Sequence, residues 1–265
     1  MNYLSSFSSL LCVLFSGRWV SVWRRNFLVW RKIAPASLSG HLADPLIYLC
    51  ALGIGLGSFI GKINGISYIS FLATGIVASS AMVSASLESN YSVFTRMNGQ
   101  RTWDALLHTP LTIGDVVFGE AMWSATKAAI SSAAIIIVSF LLGAVQIDNL
   151  WFIIPIIMLM GICFSCMALI MTALARNYEF FMFYHTLFLT PTIMLSGVFF
   201  PIERLPDTLA TIFKCLPLYH AVALVRNPLL GHENNEWILH LIVLVCYTVI
   251  AFYTALVLFK KRFVQ

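Results

Sequence analysis

Charge is the scarcest property of this sequence. Only 10% of its 265 residues are Asp, Glu, Lys or Arg, while 60% are hydrophobic, and mean hydropathy is +0.88. A water-soluble domain carries roughly a quarter charged residues, so this composition excludes one and points to an integral membrane protein. Ligand-type side chains are equally thin. The six cysteines, at 12, 50, 163, 166, 215 and 246, lie mostly inside apolar runs. Cys163 and Cys166 have CxxC spacing without further ligands, which reads as small buried side chains rather than metal or redox chemistry. No HExxH, paired carboxylates or serine–histidine–acid set is present, so catalysis within the chain has little support. Gly61-Lys62 lacks the G-x-x-x-x-G-K-[ST] spacing and the preceding strand of a phosphate loop. No cofactor, metal or nucleotide site is therefore expected in this chain. The net charge of +5 is read as topology and lipid contact, not as nucleic-acid binding.

Long apolar runs are what the sequence does have. A bilayer core of about 30 Å needs roughly 20 apolar residues per helix, and six segments qualify, at about 44–61, 68–87, 119–143, 151–175, 180–200 and 237–259. The expected fold is an all-α membrane protein of six transmembrane helices. The bases divide unevenly between the two sides of these spans. Eleven (Arg18, Arg24, Arg25, Arg31, Lys32, Arg96, Arg101, Arg176, Lys260, Lys261, Arg262) fall on one side, four (Lys62, Arg204, Lys214, Arg226) on the other, and Lys127 lies within a span. The positive-inside rule then puts both termini in the cytoplasm. Residues 1–17 are apolar and serine-rich, but their bases follow rather than precede them, the wrong order for a secretory signal. They are read as an N-terminal extension, 18–43 as an interface helix and linker, and 44–265 as the transmembrane domain.

In "RWVSVWRRNFLVWRKI", Trp19, Trp23, Phe27 and Trp30 share one helical sector while Arg24, Arg25, Arg31 and Lys32 oppose it. That pattern predicts an amphipathic helix in the headgroup layer with its tryptophans toward lipid. It serves as a topology anchor, and a contact with a cytoplasmic partner is compatible. Gly53, Gly57 and Gly61 form a four-residue ridge for close helix packing, although membrane helices are glycine-rich in general. Lys127 within its span, with Glu120 one face-repeat earlier and Glu88 ending the neighbouring span, reads as a structural ion pair or as a substrate-headgroup contact. His185 and His220 read as hydrogen-bonding residues.

The loop 88–118 contains "RTWDALLHTPL". Thr102 is a suitable N-cap, Asp104 sits in the first turn and Pro110 marks the stop, so a short helix is expected. Its Trp103, Leu106 and Leu107 must face something drier than water, either the protein's own helix ends or a soluble partner. Farther on, "SGVFFPIERLPDTLATIFKCLPLYH" places Pro201, Pro206 and Pro217 around an apolar helical repeat of Leu205, Leu209, Ile212 and Phe213. Prolines remove donors and break helices. Broken backbone at membrane depth survives only where protein or a wet cavity surrounds it. The segment reads as a re-entrant element between the fifth and sixth spans, or as an ordinary amphipathic helix outside the membrane.

The runs "FTRMNGQRTWDALLHTPLTIGDVVFGEAMWSATKA" and "LSGVFFPIERLP…LPLYHAVALVRNPLLG" resemble those of the ABC-2 type permeases, nearest to the nodulation-protein J branch. The resemblance runs from the first span to the C-terminus. It implies an exporter in a bacterial inner membrane, built from two permease copies, identical or not, and two copies of a separate ATPase that holds ATP and Mg²⁺. It places a coupling helix for that ATPase on Arg101, Thr102, Trp103, Asp104, Leu106, Leu107, Thr109, Pro110 and Leu111. It places a connecting helix among membrane lipids on Trp19, Trp23, Arg24, Arg25, Trp30 and Arg31. It makes 199–231 an extracellular re-entrant hairpin, with gate residues Phe199, Phe200, Pro201, Leu205, Pro206, Pro217 and His220. The branch implies a glycolipid or lipid-linked oligosaccharide as substrate, with a hydrophobic drug as the alternative. From other classes, a membrane-embedded transferase would need converging polar groups at one depth, and a non-transporting scaffold would need no ATPase.

Overall fold

Proline and glycine set where the helices of this chain stop and bend. The computed structural model describes residues 16–63, 65–146, 150–202, 206–231 and 236–263. Residues 1–15 of the N-terminal extension and Leu205 of the expected gate lie outside this set.

Helix α1 (Trp19–Trp30) is followed by α2 (Ala34–Tyr48), which runs through π-helical turns at Leu49–Leu56 into α3 (Gly57–Ile60). Pro45 lies inside α2. Its ring crowds the preceding turn and donates no hydrogen bond, and the widened turns follow directly. Gly61, at φ +69°, ends the helix, and a tight antiparallel hairpin of β1 (Lys62–Ile63) and β2 (Ile66–Ser67) reverses the chain. Helix α4 (Tyr68–Leu87) starts on the Ser67 hydroxyl, which accepts from the Ser70 N–H, and continues through π turns at Glu88–Ser92 and Thr95–Gly99. The short α5 (Thr102–Leu107) is entered through Arg101 in the left-handed region at φ +48°. A Thr112–Asp115 capping box opens α6 (Ile113–Leu141), and α7 (Leu150–Leu174) follows. Helix α8 (Glu179–Tyr184), a π turn at His185–Leu189 and α9 (Thr190–Leu195) form one interrupted rod with Pro191 near the break. The pair α10 (Asp207–Lys214) and α11 (Pro217–Leu230) is bent by 87°, with Pro217 pre-set in the first turn of α11. Helix α12 (Trp237–Phe263) closes the chain.

Among the described residues, four helical stretches are long and apolar enough to cross a membrane: Tyr68–Gly99, Ile113–Leu141, Trp151–Leu174 and Trp237–Phe263. There are up to five if the bent pair counts as one span. The segments expected at 44–61 and 180–200 are helical, but the first is an apolar stretch of only Pro45–Ile60 and the second ends at Leu195. The second expected span ran to residue 87, yet its helix continues to Gly99. Glu88 looks like a boundary in the sequence, but its charge is paired inside the protein. The third starts at Ile113 rather than 119.

Helix α4 is the centre of the bundle: its most apolar window is 83% buried, against 28% for the peripheral α12. Small residues let its neighbours close in. A Cβ on Gly75 would stand 2.7 Å from the Val198 carbonyl, and one on Gly161 would stand 2.7 Å from Ala125 Cα where α7 crosses α6. The expected Gly53–Gly57–Gly61 ridge is only partly realised. Gly53 packs against Ile69, at 3.0 Å for an added Cβ, whereas Gly57 is in ordinary contact and Gly61 faces open space in the turn. The π turns rotate the register, so four-residue spacing no longer keeps one face.

Replacing Gly161 by Ala forces α6 and α7 apart and is expected to destabilise the detergent-solubilised protein by about 1–3 kcal/mol, read as a lowered thermal midpoint. Gly55→Ala, where an added Cβ meets nothing within 4 Å, should leave the midpoint unchanged.

Candidate functional site

At the α5 end of the bundle, two carboxylates and two cations are buried together. Glu120 on α6 is fully buried, Glu88 at the end of α4 is 4% exposed and Lys127 on α6 is 8% exposed. Arg96, in the π-helical extension of α4, lies between the acids. Its Nη1 donates to Glu88 Oε1 at 3.0 Å, and its Nε and Nη2 donate to Glu120 Oε1 and Oε2 at 3.1 and 2.7 Å. Lys127 Nζ donates to Glu88 Oε2 at 2.8 Å. Neutral donors complete each carboxylate. Glu88 accepts from Ser92 Oγ at 2.8 Å and Trp123 Nε1 at 2.9 Å, and Glu120 accepts from Asn26 Nδ2 at 2.8 Å and Trp103 Nε1 at 3.3 Å.

A carboxylate offers about four lone-pair positions, and each acid here receives four hydrogen bonds. Both are saturated, which favours the structural ion pair over a substrate contact at Lys127. The pairing also differs from simple proximity in sequence: Lys127 pairs with Glu88, and Glu120 pairs with Arg96. Ending the span at residue 87, as the sequence suggests, leaves Arg96 in the loop 88–118. Its position eight residues after Glu88, with no helix breaker until Gly99, was the available signal.

The cluster joins α1, α4, α5 and α6. Helix α1 buries Val22 and Asn26, and a Cβ on Gly119 of α6 would stand 2.7 Å from Val22 Cβ. Its tryptophans do not face lipid as expected. Trp19 meets Phe118 edge-on at 5.2 Å and Trp30 meets Trp123 at 5.7 Å, while Trp23 Nε1 donates to Thr126 Oγ1 at 2.9 Å. A helical stripe of aromatics looks the same whether lipid or protein covers it. Asn26, in the middle of that stripe, is the residue that should have told them apart, because a buried amide needs a polar partner. On the opposite side of α1, Arg24 and Arg31 are exposed. Arg25 Nη2 reaches Thr102 Oγ1 at 3.3 Å, and Arg18 Nη1 reaches the Pro110 carbonyl at 3.3 Å.

Helix α5 divides into two faces. Trp103 is fully buried, with its indole tilted against Phe259 at 4.8 Å and stacked on Phe263 at 5.6 Å, both of α12. Leu106, Leu107 and Leu111 pack partly on the same core. Trp103 is therefore no docking residue; its apolar surface is used by the protein's own helix ends. Arg101, Asp104, His108, Thr109 and Pro110 are exposed, with Thr102 half-buried.

The residues expected to gate the other end converge on α4 and α12. Phe199 packs on the core with its carbonyl accepting from Tyr68 Oη at 3.4 Å. Phe200 is 37% exposed, Pro201 and Pro217 are buried and Pro206 is exposed. His220 Nδ1 shares a hydrogen bond with His240 Nδ1 at 2.8 Å. Arg226, not singled out from the sequence, lies 3.8 Å above the Phe71 ring and donates to Thr74 Oγ1 and to the carbonyls of Phe71 and Gly197. His185 stands against Tyr91 and Tyr184. Among the described residues no group of three or more His, Cys, Asp or Glu could hold a metal.

Removing one member of the charge cluster leaves another buried and uncompensated. Glu88→Gln is expected to lower stability by about 3–5 kcal/mol, measured by thermal unfolding in detergent. Adding Lys127→Met to it should recover a large part of that loss, since one acid and one base then remain.

Residues 4–230 match the family model for the ABC-2 type transporter. The chain is 46% identical over 244 residues to Nodulation protein J of Rhizobium meliloti, covering 92% of this chain and 93% of the relative. It is 46% identical over 247 residues to Nodulation protein J of Rhizobium leguminosarum bv. trifolii, with 93% and 94% covered. The Inner membrane transport permease YadH of Escherichia coli is 23% identical over 233 residues, with 88% and 90% covered. With the family model spanning most of the chain and the relatives matching nearly end to end, the chain belongs to the ABC-2 type transporter family, as a membrane permease.

Proposed function

We propose that this chain is the transmembrane half of an ATP-driven exporter that moves a glycolipid or lipid-linked oligosaccharide out across a bacterial inner membrane. On this reading the chain crosses the membrane six times with both termini in the cytoplasm. It pairs with a second copy of itself and with two copies of a separate ATPase, which supplies ATP and Mg²⁺ chemistry. Helix α5 is the coupling helix, and the bent pair α10–α11 is the re-entrant gate at the outer face.

One observation carries the coupling assignment: the indole of Trp103 on α5 donates to Glu120, which is itself locked to α4 and α1 through Arg96 and Asn26. A push on the exposed side of α5 cannot be absorbed locally, because the buried carboxylate resists losing a donor. Displacement of α5 therefore passes to α1, α4 and α6 together. In this arrangement Arg101, Asp104, Thr109 and Pro110 meet the ATPase, and Trp103 transmits the motion inward. The support for the gate is the 87° bend between α10 and α11, with Leu218, Ala221 and Val222 of α11 in the same buried core that Phe199 packs on.

Charge reversal at Asp104 or Arg101 should reduce copurification with the ATPase and substrate-stimulated ATP hydrolysis several-fold. Trp103→Ala should weaken coupling while docking is retained. Unchanged copurification and stimulation in the charge-reversed proteins would overturn the coupling role of α5. Phe199→Ala with Phe200→Ala should alter export while membrane insertion persists, and wild-type transport would argue against a gate there. Reconstitution with the ATPase and a panel of lipids, oligosaccharide lipids and hydrophobic drugs tests the substrate class; stimulation by drugs alone would overturn the glycolipid assignment.

A further inference from the structure

With its tryptophans turned inward onto α6, α1 leaves a second face outward, and that face is both cationic and aliphatic. Val20 and Leu28 are 42% and 41% exposed and share one helical sector with exposed Arg24 and Arg31, while exposed Lys32 follows the last turn. The first 43 residues of the chain contain five bases and no acid. The bases are also divided by task. Arg18 and Arg25 point to the α5 loop and bond to the Pro110 carbonyl and the Thr102 hydroxyl, whereas Arg24, Arg31 and Lys32 stand on the uncovered side.

We propose that the outward face of α1 binds the headgroups of anionic phospholipids, and that this binding fixes the seating of α1 against α5 and α6. Long basic side chains lay their stems along apolar surface and extend their charge to phosphate. Exposed valine and leucine between them suit the boundary of headgroup and acyl chain. Charge alone would suit an acidic soluble protein equally; the interleaved aliphatics decide for a lipid surface. Since Arg18 and Arg25, at the start and on another side of α1, hold the α5 loop, the charge of the leaflet bears on the segment that carries Trp103. The inference does not depend on which substrate is exported.

The test uses the purified full-length chain in dodecylmaltoside micelles doped with phosphatidylglycerol or phosphatidylcholine. Lipid retained after chromatography and the thermal midpoint are the readouts. The wild-type chain should retain phosphatidylglycerol preferentially and gain thermal stability from it, an effect weakened by salt. Arg24→Gln/Arg31→Gln/Lys32→Gln should lose that preference, by roughly fivefold for each cation neutralised, with an unchanged midpoint in phosphatidylcholine because these side chains are exposed. Lys260→Gln/Lys261→Gln, which removes cations at the end of α12, should keep it. An absent preference in the wild type, a preference retained by the triple variant, or an equal loss in the α12 variant would each overturn the proposal.

Discussion

The carboxylate of Glu120 is the constraint on which the α5 end of the protein depends. Taking such a charge out of water is unfavourable by several kcal/mol unless donors replace the lost solvent. Here the donors come from three separate elements: Arg96 from the extension of α4, Asn26 from α1 and Trp103 from α5. None of these elements can be re-seated alone without exposing a vacancy on a buried charge. The amphipathic helix, the short loop helix and the central helix are consequently placed by one another, and Glu88 repeats the device one layer deeper with Lys127 and Trp123.

The opposite end is held differently. The bent α10–α11 pair is tied by one shared imidazole hydrogen bond, by Tyr247 Oη donating to the Cys215 carbonyl at 2.8 Å and by Arg226 on carbonyls and a ring. No carboxylate is among these ties: two are neutral hydrogen bonds and the rest come from one guanidinium on carbonyls, a hydroxyl and a ring, and they fix a segment whose backbone is already interrupted by prolines. Salt bridges thus lock the α5 end, whereas no carboxylate takes part in the ties just named at the other.

The outline was legible in the sequence for a simple reason. Low charge and long apolar runs are properties of single segments, and the solvent they imply permits little but helix. Thr102, Asp104 and Pro110 likewise announced α5 through local capping and termination. The end of α4 was misjudged because a charged residue inside a span looks like a boundary until its partner is known. The lipid-facing reading of Trp19, Trp23 and Trp30 failed because periodicity reports that a face is dry and not what dries it.

By itself the sequence determined a helical membrane protein with an amphipathic entry helix, a short loop helix and a proline-broken segment, since each follows from composition and local backbone chemistry. Only the tertiary structure decided that Glu88, Arg96, Glu120 and Lys127 form one neutral cluster, that Trp103 is its inward link and that α1 turns its aromatics to α6. Those pairings join residues up to 103 positions apart, and which donor meets which carboxylate depends on how the helices pack, because no single segment can satisfy a buried charge alone.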